Sequence, residues 1–389
     1  MAQSPLDLLD LDRSLTIEQK LIRDTVRDFV ADRISPNISH WFEHENLPAR
    51  ELAQEMGALG LLGMHLDGYD CAGTDAISYG LACLELEAAD SGIRSLVSVQ
   101  GSLAMYAIWA FGTEEQKAQW LPAMARGEKL GCFGLTESDF GSNPAGMRTF
   151  AKRDGSDWIL NGTKYWITNG TIADVAIIWA QTEAGIQGFA VPTTTPGFKA
   201  RLIEHKLSLR ASHTAELILE NVRIPDSALL PDAKGLKAAL SCLNEARFGI
   251  VFGVVGAARD CIETALAYSK SRIQFDRPIA GFQLTQAKLA SMATSLHTSH
   301  LLALHLGALK DAHALTPTQI SVGKFNNAKV ALDIAREARS ILGGAGISLE
   351  YPVIRHMTNL ESVVTYEGTH EIHTLVIGEA LTGLSAYRG

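Results

Sequence analysis

The chain has 389 residues, of which 47% are hydrophobic and 20% charged, and its formal net charge is −9 at pH 7. This acidic balance, with no run of lysine and arginine, argues against a nucleic-acid-binding surface. No apolar run reaches the roughly 18 residues that a helix needs to cross a bilayer, and the start M-A-Q-S-P-L-D-L-L-D lacks a signal-peptide pattern. We therefore expect no nucleic-acid or membrane partner, and a bacterial cytoplasmic location or, for a processed eukaryotic chain, the mitochondrial matrix.

The first 129 residues are predicted to be helical throughout. Thr16 and Gln19 have the spacing of a capping box, in which two side chains accept from each other's backbone N–H groups at a helix start. Apolar residues then recur at helical spacing as far as Pro36, and Thr113 with Gln116 repeats the capping pattern. The pattern predicts an N-terminal helical bundle over residues 1–129.

Residues 130–235 have a different pattern, with short alternating or β-branched runs separated by turn signals. Asn161-Gly162 lies between two such runs, at 158–160 and 165–168. Because Asn-Gly is a strong signal for a two-residue hairpin turn, we predict a β-hairpin there. The whole segment is predicted to be a small antiparallel β-domain.

Long helical patterns return after residue 235, at about 239–273, 283–311, 317–342 and 370–383. The third ends at Gly343-Gly344, a glycine stop. The sequence therefore predicts a mainly α protein with a β-domain, in which a C-terminal helical bundle occupies residues 236–389.

The glycines of the first long C-terminal helix do not form a phosphate-binding loop. Gly249, Gly253 and Gly256 lie inside an apolar helical run, and no G-x-G-x-x-G follows a predicted strand. Small residues in such a run favour close packing of one helix on another. A nicotinamide-binding domain is therefore not expected.

No metal site is predicted. His297, His300 and His305 partly share a helix face, but no acidic partner follows at ligand spacing, so a polar surface or subunit contact is favoured. The cysteines form an odd set without C-x-x-C spacing, which favours reduced thiols over disulfides or zinc. They are Cys71, Cys83, Cys132, Cys242 and Cys261.

A single carboxylate near the C-terminus is the candidate catalytic base. Glu367 lies between Tyr366 and Gly368, next to Thr369 and His370, and the glycine lets backbone and substrate approach closely. The alternative is a solvated acid in a turn, with Thr369 capping the segment that follows. The residues of this stretch alone leave both interpretations open.

A second candidate site lies in the β-domain. Trp166 can lie against a flat ring and Thr168 can donate a hydrogen bond, as an isoalloxazine requires. Residues 133–142, F-G-L-T-E-S-D-F-G-S, combine permissive glycines with hydroxyl groups. The alternative is a core tryptophan with a threonine at a strand end.

Six motifs occur in one order: F-G-L-T-E, W-I-T-N, N-E-A-R-F-G, R-x-x-F, L-G-G-x-G and T-Y-E-G-T-H. Together with the order of helices, sheet and helices, they resemble the acyl-CoA dehydrogenase family over essentially the whole chain. Within that family the resemblance is greatest to the members that act on glutaryl-CoA. It implies the acyl-CoA dehydrogenase fold, FAD as cofactor, an acyl-CoA substrate, an electron-transfer flavoprotein as acceptor and a homotetramer.

The resemblance also implies roles for individual residues, with Glu367 as the base. The residues implied to contact the acyl-CoA are Ser142, Leu243, Asn244, Arg247, Ile250, Tyr366 and Gly368. The residues implied to contact FAD are Phe133, Leu135, Thr136, Gly141, Ser142, Trp166, Thr168, Arg272, Phe275, Gln283, Ser340, Leu342, Gly343, Gly344, Thr369 and His370. Those from Arg272 to Gln283 and from Ser340 to Gly344 are expected to contact FAD of a neighbouring subunit.

Arg94 is implied to bind the distal carboxylate of the acyl group, with Glu87 as its orienting partner and Ser95 beside it. A guanidinium holds a carboxylate through two parallel hydrogen bonds. This implies oxidation and decarboxylation of glutaryl-CoA to crotonyl-CoA and CO2. The alternatives are a surface Arg–Glu pair, a dehydrogenase or oxidase for a short-chain, branched or other dicarboxylyl acyl-CoA, and a non-catalytic flavin or acyl-CoA-binding protein.

Four positions depart from the family pattern. The family more often has Pro at Ser138, Asp at Asn143, Gly at Asp276 and Asn at Ala345. A carboxylate near the cofactor pyrophosphate would repel it. We therefore expect Asp276 either to point away from the pyrophosphate or to weaken FAD binding.

Overall fold

The computed structural model describes residues 6–386, and helices make up the first third of the chain. These helices are α1 (Ile17–Phe29), α2 (Ile38–His44), α3 (Ala49–Ala58), α4 (Ala76–Ala89), α5 (Ser91–Ser98), α6 (Tyr106–Phe111) and α7 (Glu114–Ala125). Both predicted capping boxes are present, at the starts of α1 and α7. α1 and α5 run on into π-helical segments, Val30–Ile34 and Val99–Met105.

Eight strands of the described chain form the central sheet. They are β1 (Gly131–Gly134), β2 (Phe150–Asp154), β3 (Asp157–Thr168), β4 (Val175–Thr182), β5 (Gly185–Pro192), β6 (Phe198–Leu202), β7 (Thr214–Pro225) and β8 (Leu229–Lys234). Their order is β6-β7-β3-β2-β4-β5-β8, with β1 beside β4. Most neighbours are antiparallel as predicted, but β1 pairs with β4 in parallel and β2 touches β4 through a parallel bridge. The predicted antiparallel β-domain is therefore confirmed, except at these two parallel pairings.

The predicted hairpin at Asn161-Gly162 is wrong, because both residues lie inside the continuous strand β3. The pairing of β3 with β7 shifts register between Leu160 and Gly162, where β7 has one extra residue, so the dipeptide lies opposite a bulge and not in a turn. A Cβ on Gly162 would lie 2.6 Å from the Cα of Thr149, and the Asn161 side chain accepts a hydrogen bond from the backbone of Asn221 at 2.8 Å. Contacts with distant strands therefore account for a dipeptide that is locally typical of a turn.

β4 shows how the sheet joins the helices. Its side chains are buried on both faces: Val175, Ile177 and Trp179 pack into the core that runs through the helices. The alternating residues Ala176 and Ile178 pack into a second core formed by the sheet itself. Because successive side chains of a strand point to opposite faces, a nearly continuous apolar run serves both cores.

The C-terminal part consists mainly of long helices. It contains α8 (Gly235–Ser271), β9 (Ile273–Gln274), β10 (Arg277–Pro278), α9 (Gln283–Asp311), α10 (Pro317–Leu342), α11 (Val353–Thr365) and α12 (His370–Thr382). α9 and α10 have the predicted bounds, whereas α11 and the short β9–β10 hairpin were not predicted. The element order changes between α7 and β1 and again at the start of α8. The domain bounds themselves stay a prediction.

The three glycines of α8 pack this helix closely against α4. A Cβ on Gly249 would lie 2.8 Å from the Tyr79 hydroxyl, and one on Gly256 would lie 1.8 Å from the backbone oxygen of Leu84. On Gly253 it would lie 2.1 Å from the Glu87 carboxylate. Close helix packing, as predicted for these glycines, is confirmed.

By length and composition alone, α8 is also the one helix among the described residues that is long and apolar enough to cross a membrane. Of its most apolar window, 67% is buried inside the fold. The core helix of a soluble protein passes the same test, so this composition is weak support for a membrane span.

Within residues 6–386, no three His, Cys, Asp or Glu side chains come together as a metal site would require. His297 instead accepts a hydrogen bond from the backbone of Leu8 at 3.2 Å. All five cysteines are unpaired, and four are buried, as expected for reduced thiols.

Candidate active site

A three-residue link, Tyr366, Glu367 and Gly368, joins α11 to α12. The Thr369 hydroxyl accepts a hydrogen bond from the backbone N–H of Ile372 at 3.2 Å, so the predicted capping by Thr369 is confirmed. The Glu367 side chain, however, is not a solvated acid. Its Oε2 atom is buried and has no hydrogen-bond partner in the described part of the chain. A buried, unpaired carboxylate oxygen is available to a substrate.

Two cations, the buried Lys324 and the partly buried Arg247, contact the backbone of this link. Lys324 of α10 donates to the carbonyl oxygens of Tyr366 and Gly368, at 2.6 Å in each case. Arg247 of α8 donates through Nε to the carbonyl oxygen of Glu367 at 2.6 Å. Arg247 was predicted to contact the CoA ester. Lys324 was not identified from the sequence, because it lies in an apolar helical pattern with no motif around it.

The surroundings of Glu367 shift its affinity for a proton. Burial raises the pKa of the carboxyl group, while the positive charges of Arg247, Lys324 and Arg94 act in the opposite direction. The net effect is a raised pKa, which makes the carboxylate a stronger base than a solvated glutamate.

Arg94 of α5 contacts the same link through the Tyr366 side chain. Its Nε donates to Glu87 at 2.7 Å and its Nη2 donates to the Tyr366 hydroxyl. The hydroxyl groups of Ser95 and Tyr366 lie 3.5 Å apart. Both Arg94 and Glu87 are fully buried, so the alternative of a surface ion pair is wrong.

Asp90 positions α5, although it was not identified from the sequence. Its carboxylate accepts from the backbone N–H of Gly92 at 2.7 Å and caps the helix that carries Arg94. The same carboxylate accepts from Arg355 at 2.7 Å and Asn359 at 2.8 Å, both on α11. Since α11 leads directly to Glu367, Asp90 ties the arginine-bearing helix to the base-bearing link.

The other residues predicted to contact CoA line the same stretch of α8. Asn244 accepts a hydrogen bond from Arg247 at 3.1 Å. Ile250 is fully buried in the core, and Leu243 is partly buried. The structure therefore brings Asn244 and Arg247 to the catalytic link, while contacts of Leu243 and Ile250 with CoA stay a prediction.

The predicted flavin-binding residues of the β-domain form a separate group. Trp166 is 56% exposed and has a left-handed backbone (φ 61°), and Thr168 ends β3. Gly141 and Ser142 are exposed in the loop between β1 and β2. Within residues 6–386, no hydrogen bond joins these residues to Glu367, so their shared site stays a prediction.

Phe133, Leu135 and Thr136 lie at and just after β1. The side chains of Phe133 and Leu135 are buried, and the Phe133 ring packs 5.9 Å from that of Trp179. The backbone oxygen of Thr136 accepts from Tyr165 at 2.8 Å, which ties this segment to the strand of Trp166. These contacts place the three residues next to the predicted flavin side of the sheet.

The predicted pyrophosphate and adenine segment lies at the end of α8, the start of α9 and the end of α10. Arg272, Phe275 and Gln283 are exposed. Lys288 of α9 donates to Ser340 of α10 at 2.9 Å, so the two helix ends are joined. Leu342, Gly343 and Gly344 follow; Leu342 is buried, whereas Gly343 and Gly344 are exposed.

Phe275 and Asp276 form the two-residue turn between β9 and β10. Their φ angles are 49° and 62°, and a turn with both central residues left-handed favours Gly, Asn or Asp. This requirement explains why an aspartate can replace the family's glycine at 276.

His370 and Thr369 lie at the start of α12. The His370 ring stacks on Phe325 at 4.1 Å between centroids. This stacking joins the base-bearing link to α10, and the predicted cofactor contact of His370 stays a prediction.

The exposed side chains fit a flavin dinucleotide. Trp166 presents an uncovered indole at the end of a strand, and Phe275 is 88% exposed. Arg272 makes no salt bridge within the described chain, so its guanidinium is available to a phosphate. An aromatic surface, a free cation and an unpaired buried carboxylate are the groups that a flavin and an acyl thioester require.

The sequence matches three family models along its length. They are acyl-CoA dehydrogenase, N-terminal domain, over residues 16–128; middle domain, over 132–222; and C-terminal domain, over 233–382. The mitochondrial short-chain specific acyl-CoA dehydrogenase of Bos taurus is 36% identical over 376 residues, which cover 95% of this chain and 90% of that protein. The chain belongs to the acyl-CoA dehydrogenase family, and it is an FAD-dependent dehydrogenase.

Solved structures share the fold. Glutaryl-CoA dehydrogenase from Mycobacterium smegmatis is 66% identical with a TM-score of 0.97, covering 98% of this chain and 99% of that chain. A glutaryl-CoA dehydrogenase from the same organism in complex with FADH2 is 64% identical with a TM-score of 0.97, covering 99% of both chains. A chain in a structure of the electron transferring flavoprotein of Acidaminococcus fermentans is 34% identical with a TM-score of 0.91, covering 95% and 98%. The predicted three-part fold is confirmed.

Proposed function

We propose that this enzyme oxidises glutaryl-CoA and decarboxylates the product to crotonyl-CoA and CO2. The observation that carries the proposal is Arg94, a buried guanidinium beside the catalytic link whose Nη1 has no hydrogen bond within residues 6–386. A guanidinium edge with a free N–H group suits the distal carboxylate of a glutaryl chain. The 66% identity to glutaryl-CoA dehydrogenase from Mycobacterium smegmatis supports the same substrate.

The balance of charge also favours a substrate with a carboxylate. When Lys324 is protonated, the three cations Arg94, Arg247 and Lys324 outnumber the two nearby carboxylates Glu87 and Glu367, which leaves one positive charge in excess. Buried charge is costly unless it is paired. A glutaryl group supplies the missing negative charge, whereas a butyryl group does not.

In the proposed oxidation, the Glu367 carboxylate removes the α-proton of the thioester. Bound FAD would supply the acceptor for the hydride that leaves the β-carbon. Trp166 and Thr168 are the residues that would hold its ring, and Arg272 and Gln283 would hold its pyrophosphate. The Glu367 Oε2 atom is buried, and burial raises the pKa of the carboxyl group, which strengthens the carboxylate as a base.

In the proposed decarboxylation, the same residue acts again. Loss of CO2 from glutaconyl-CoA leaves an electron pair that delocalises into the thioester carbonyl. Protonated Glu367 then returns its proton to the γ-carbon, which yields crotonyl-CoA and restores the carboxylate. The raised pKa of Glu367 supports this second step, because the proton is held between the two reactions.

The proposal extends to assembly, electron acceptor and location. A homotetramer is supported by exposed apolar side chains of the C-terminal part, among them Phe275 in the β9–β10 turn and Leu284 and Leu301 on α9. The similarity to a chain from the electron transferring flavoprotein structure supports such a flavoprotein as acceptor. We also propose a cytoplasmic location. Native mass spectrometry tests the assembly, and a fourfold mass with four FAD is the expected result.

Substrate specificity is tested by removing the buried pair as a unit. Arg94→Met alone would leave Glu87 buried without its cation, so we combine it with Glu87→Gln. The double variant is expected to lose about 2 to 5 kcal/mol of glutaryl-CoA transition-state binding, or about 30-fold to several thousand-fold in kcat/KM, while its kcat/KM for butyryl-CoA is retained. Glu87→Gln alone, which keeps Arg94, is the matched control.

The two substrates and the released gas discriminate the alternatives. Equal losses on glutaryl-CoA and butyryl-CoA would contradict the role of Arg94 and favour a short-chain dehydrogenase. Oxidation of glutaryl-CoA without trapped CO2 would contradict decarboxylation. Glu367→Gln is expected to retain FAD, while its rate of flavin bleaching should fall by about 100- to 10,000-fold, the range of general-base catalysis.

A further inference from the structure

Three consecutive carbonyl oxygens of the catalytic link accept hydrogen bonds from two cations, of which Lys324 is buried and Arg247 is partly buried. Arg247 binds the middle one, at Glu367, and Lys324 binds the two on either side, at Tyr366 and Gly368, all at 2.6 Å. The Lys324 ammonium group therefore bridges the backbone carbonyl groups on either side of Glu367. Lys324 belongs to α10, a helix that contains none of the residues predicted to contact the acyl-CoA.

We propose that Lys324 is a positioning residue for the proposed base: it holds residues 366–368 so that the Glu367 carboxylate faces the acyl site, and it places a positive charge behind that carboxylate. The inference rests on the proposed function of Glu367. Lys324 touches neither the substrate nor the reacting atoms, and it acts through Glu367 alone.

The backbone of the link requires such support. Glu367 has a φ of 57° and Gly368 a φ of 93°, so two successive residues are left-handed. A non-glycine residue in that region costs about 1–2 kcal/mol and persists only where the surroundings impose it. The hydrogen bonds of Lys324 to both neighbours of Glu367 impose that conformation.

Lys324 has no structural reason of its own to be charged. Its side chain is fully buried, and within residues 6–386 it makes no salt bridge. Burying an ammonium group without a carboxylate partner is costly, and an apolar residue in α10 would pack there at lower cost. A buried charge that destabilises the fold is expected where the residue has a role in the active site.

The charge of Lys324 acts on Glu367 together with that of its neighbours. Burial lowers the pKa of Lys324 to about 7, with the nearby Glu367 carboxylate opposing the shift. Even the neutral amine has two N–H groups, enough for both carbonyl oxygens. Loss of the proton therefore removes the charge while the link can stay held.

The other titratable groups that face Glu367 keep one state near neutral pH. Arg94 on α5 and Arg247 on α8 remain cationic. Burial raises the pKa of the Cys242 thiol on α8 and of the Tyr366 hydroxyl, and it lowers the pKa of His373 on α12 to about 3. The pKa of Glu367 is raised and that of Lys324 is lowered to about 7, so we assign the pH dependence of the site to these two groups.

The test uses Lys324→Met, which removes the charge and the donors, and Lys324→Gln, which keeps amide donors. For Lys324→Met in the FAD-containing enzyme, we expect the rate of flavin bleaching by glutaryl-CoA to fall by about 100-fold, the usual consequence of misplacing a catalytic group by an ångström. KM should change little. The matched control is Lys329→Met, on the same helix, where the lysine is exposed and pairs with Asp333.

The pH profile separates positioning from a merely structural role. Because the positive charge of Lys324 lowers the pKa of Glu367, its removal raises that pKa, and the acid limb of kcat/KM moves to higher pH in both Lys324 variants. Lys329→Met should leave the limb unchanged. If Lys324→Met does not fold, the shift of the acid limb of kcat/KM in Lys324→Gln tests the inference.

A third readout is independent of turnover. Hydrogen exchange of residues 366–370, measured by mass spectrometry without substrate, should be faster in Lys324→Met than in Lys329→Met. The inference would be overturned if the Lys324 variants kept the wild-type rate of flavin bleaching, the wild-type acid limb of kcat/KM and the wild-type rate of hydrogen exchange. Full activity of Glu367→Gln would instead overturn the proposed function, and the exchange measurement would still judge whether Lys324 holds the link.

Discussion

The acyl end and the cofactor-tail end of this enzyme are built in opposite ways. Around Glu367, one chain supplies a buried network in which Arg94 contacts Glu87 and Tyr366. Around Phe275, the side chains predicted to bind the FAD pyrophosphate and adenine are exposed, and a Cβ added to Gly344 would meet no atom of residues 6–386 within 4 Å.

The difference follows from what each end must do. A charged group that is to read one substrate carboxylate must be desolvated and held rigidly, and only burial within one fold provides both. The cofactor-tail segment is proposed to bind an extended dinucleotide at a subunit contact, and such a segment must stay accessible in the single chain. We therefore expect substitutions at the acyl end to affect stability and specificity together, and those at the cofactor-tail end to affect FAD retention alone.

The largest effect is expected for Glu87→Ala, which leaves the Arg94 guanidinium buried without its carboxylate. Breaking a buried pair costs about 3–5 kcal/mol in free energy of unfolding. Denaturant unfolding measures it, with Glu361→Ala as control, since Glu361 is half-exposed in its pair with Arg336 and should cost no more than about 1 kcal/mol. Equal losses in the two variants would mean that the acyl-end pair is no more tightly built than a surface pair.

A smaller effect is expected for Gly253→Ala. The new Cβ would lie 2.1 Å from the Glu87 carboxylate, which Arg94 and Ser91 already hold, so the pair must move. Overpacking of this kind costs about 1–3 kcal/mol, and the displaced Arg94 should lower kcat/KM for glutaryl-CoA more than for butyryl-CoA.

Gly378→Ala is the matched control for Gly253→Ala. Gly378 is also a helical glycine, on α12, and an added Cβ there would meet no atom of the described chain within 4 Å. Alanine should stabilise that helix by up to about 1 kcal/mol and leave the substrate preference unchanged. If Gly253→Ala keeps the wild-type substrate preference, the position of Arg94 does not depend on the packing of α8 on α4.

The smallest effect on stability is expected for Phe275→Ser at the cofactor-tail end. Phe275 is 88% exposed, and a surface substitution usually changes the free energy of unfolding of the chain by less than about 0.5 kcal/mol. The flavin absorbance per protein of Phe275→Ser should fall after gel filtration. The control is Leu207→Ser, at an exposed apolar residue of the β-domain, which should retain FAD. Unchanged flavin content would remove Phe275 from the cofactor site.

Local patterns in the sequence predicted much of the fold. Capping boxes at Thr16 and Thr113, the bounds of α9 and α10, and the glycine end at Gly343 all depend on residues a few positions apart. The prediction failed at Asn161-Gly162, where the local turn signal was outweighed by contact with Thr149 and β7. It missed α11, which has no capping side chain at its start.

For the active site, the order of motifs identified the family and Glu367, because residue types and spacing can be read along the chain. The sequence could not show that Lys324 and Asp90 support the same link, since their partners lie 42 to 269 residues away. Nor could it show whether Arg94 and Glu87 form a surface pair or a buried one. Burial and charge at a site arise when distant helices pack together, so the tertiary structure alone distinguishes a solvated acid from an unpaired buried base.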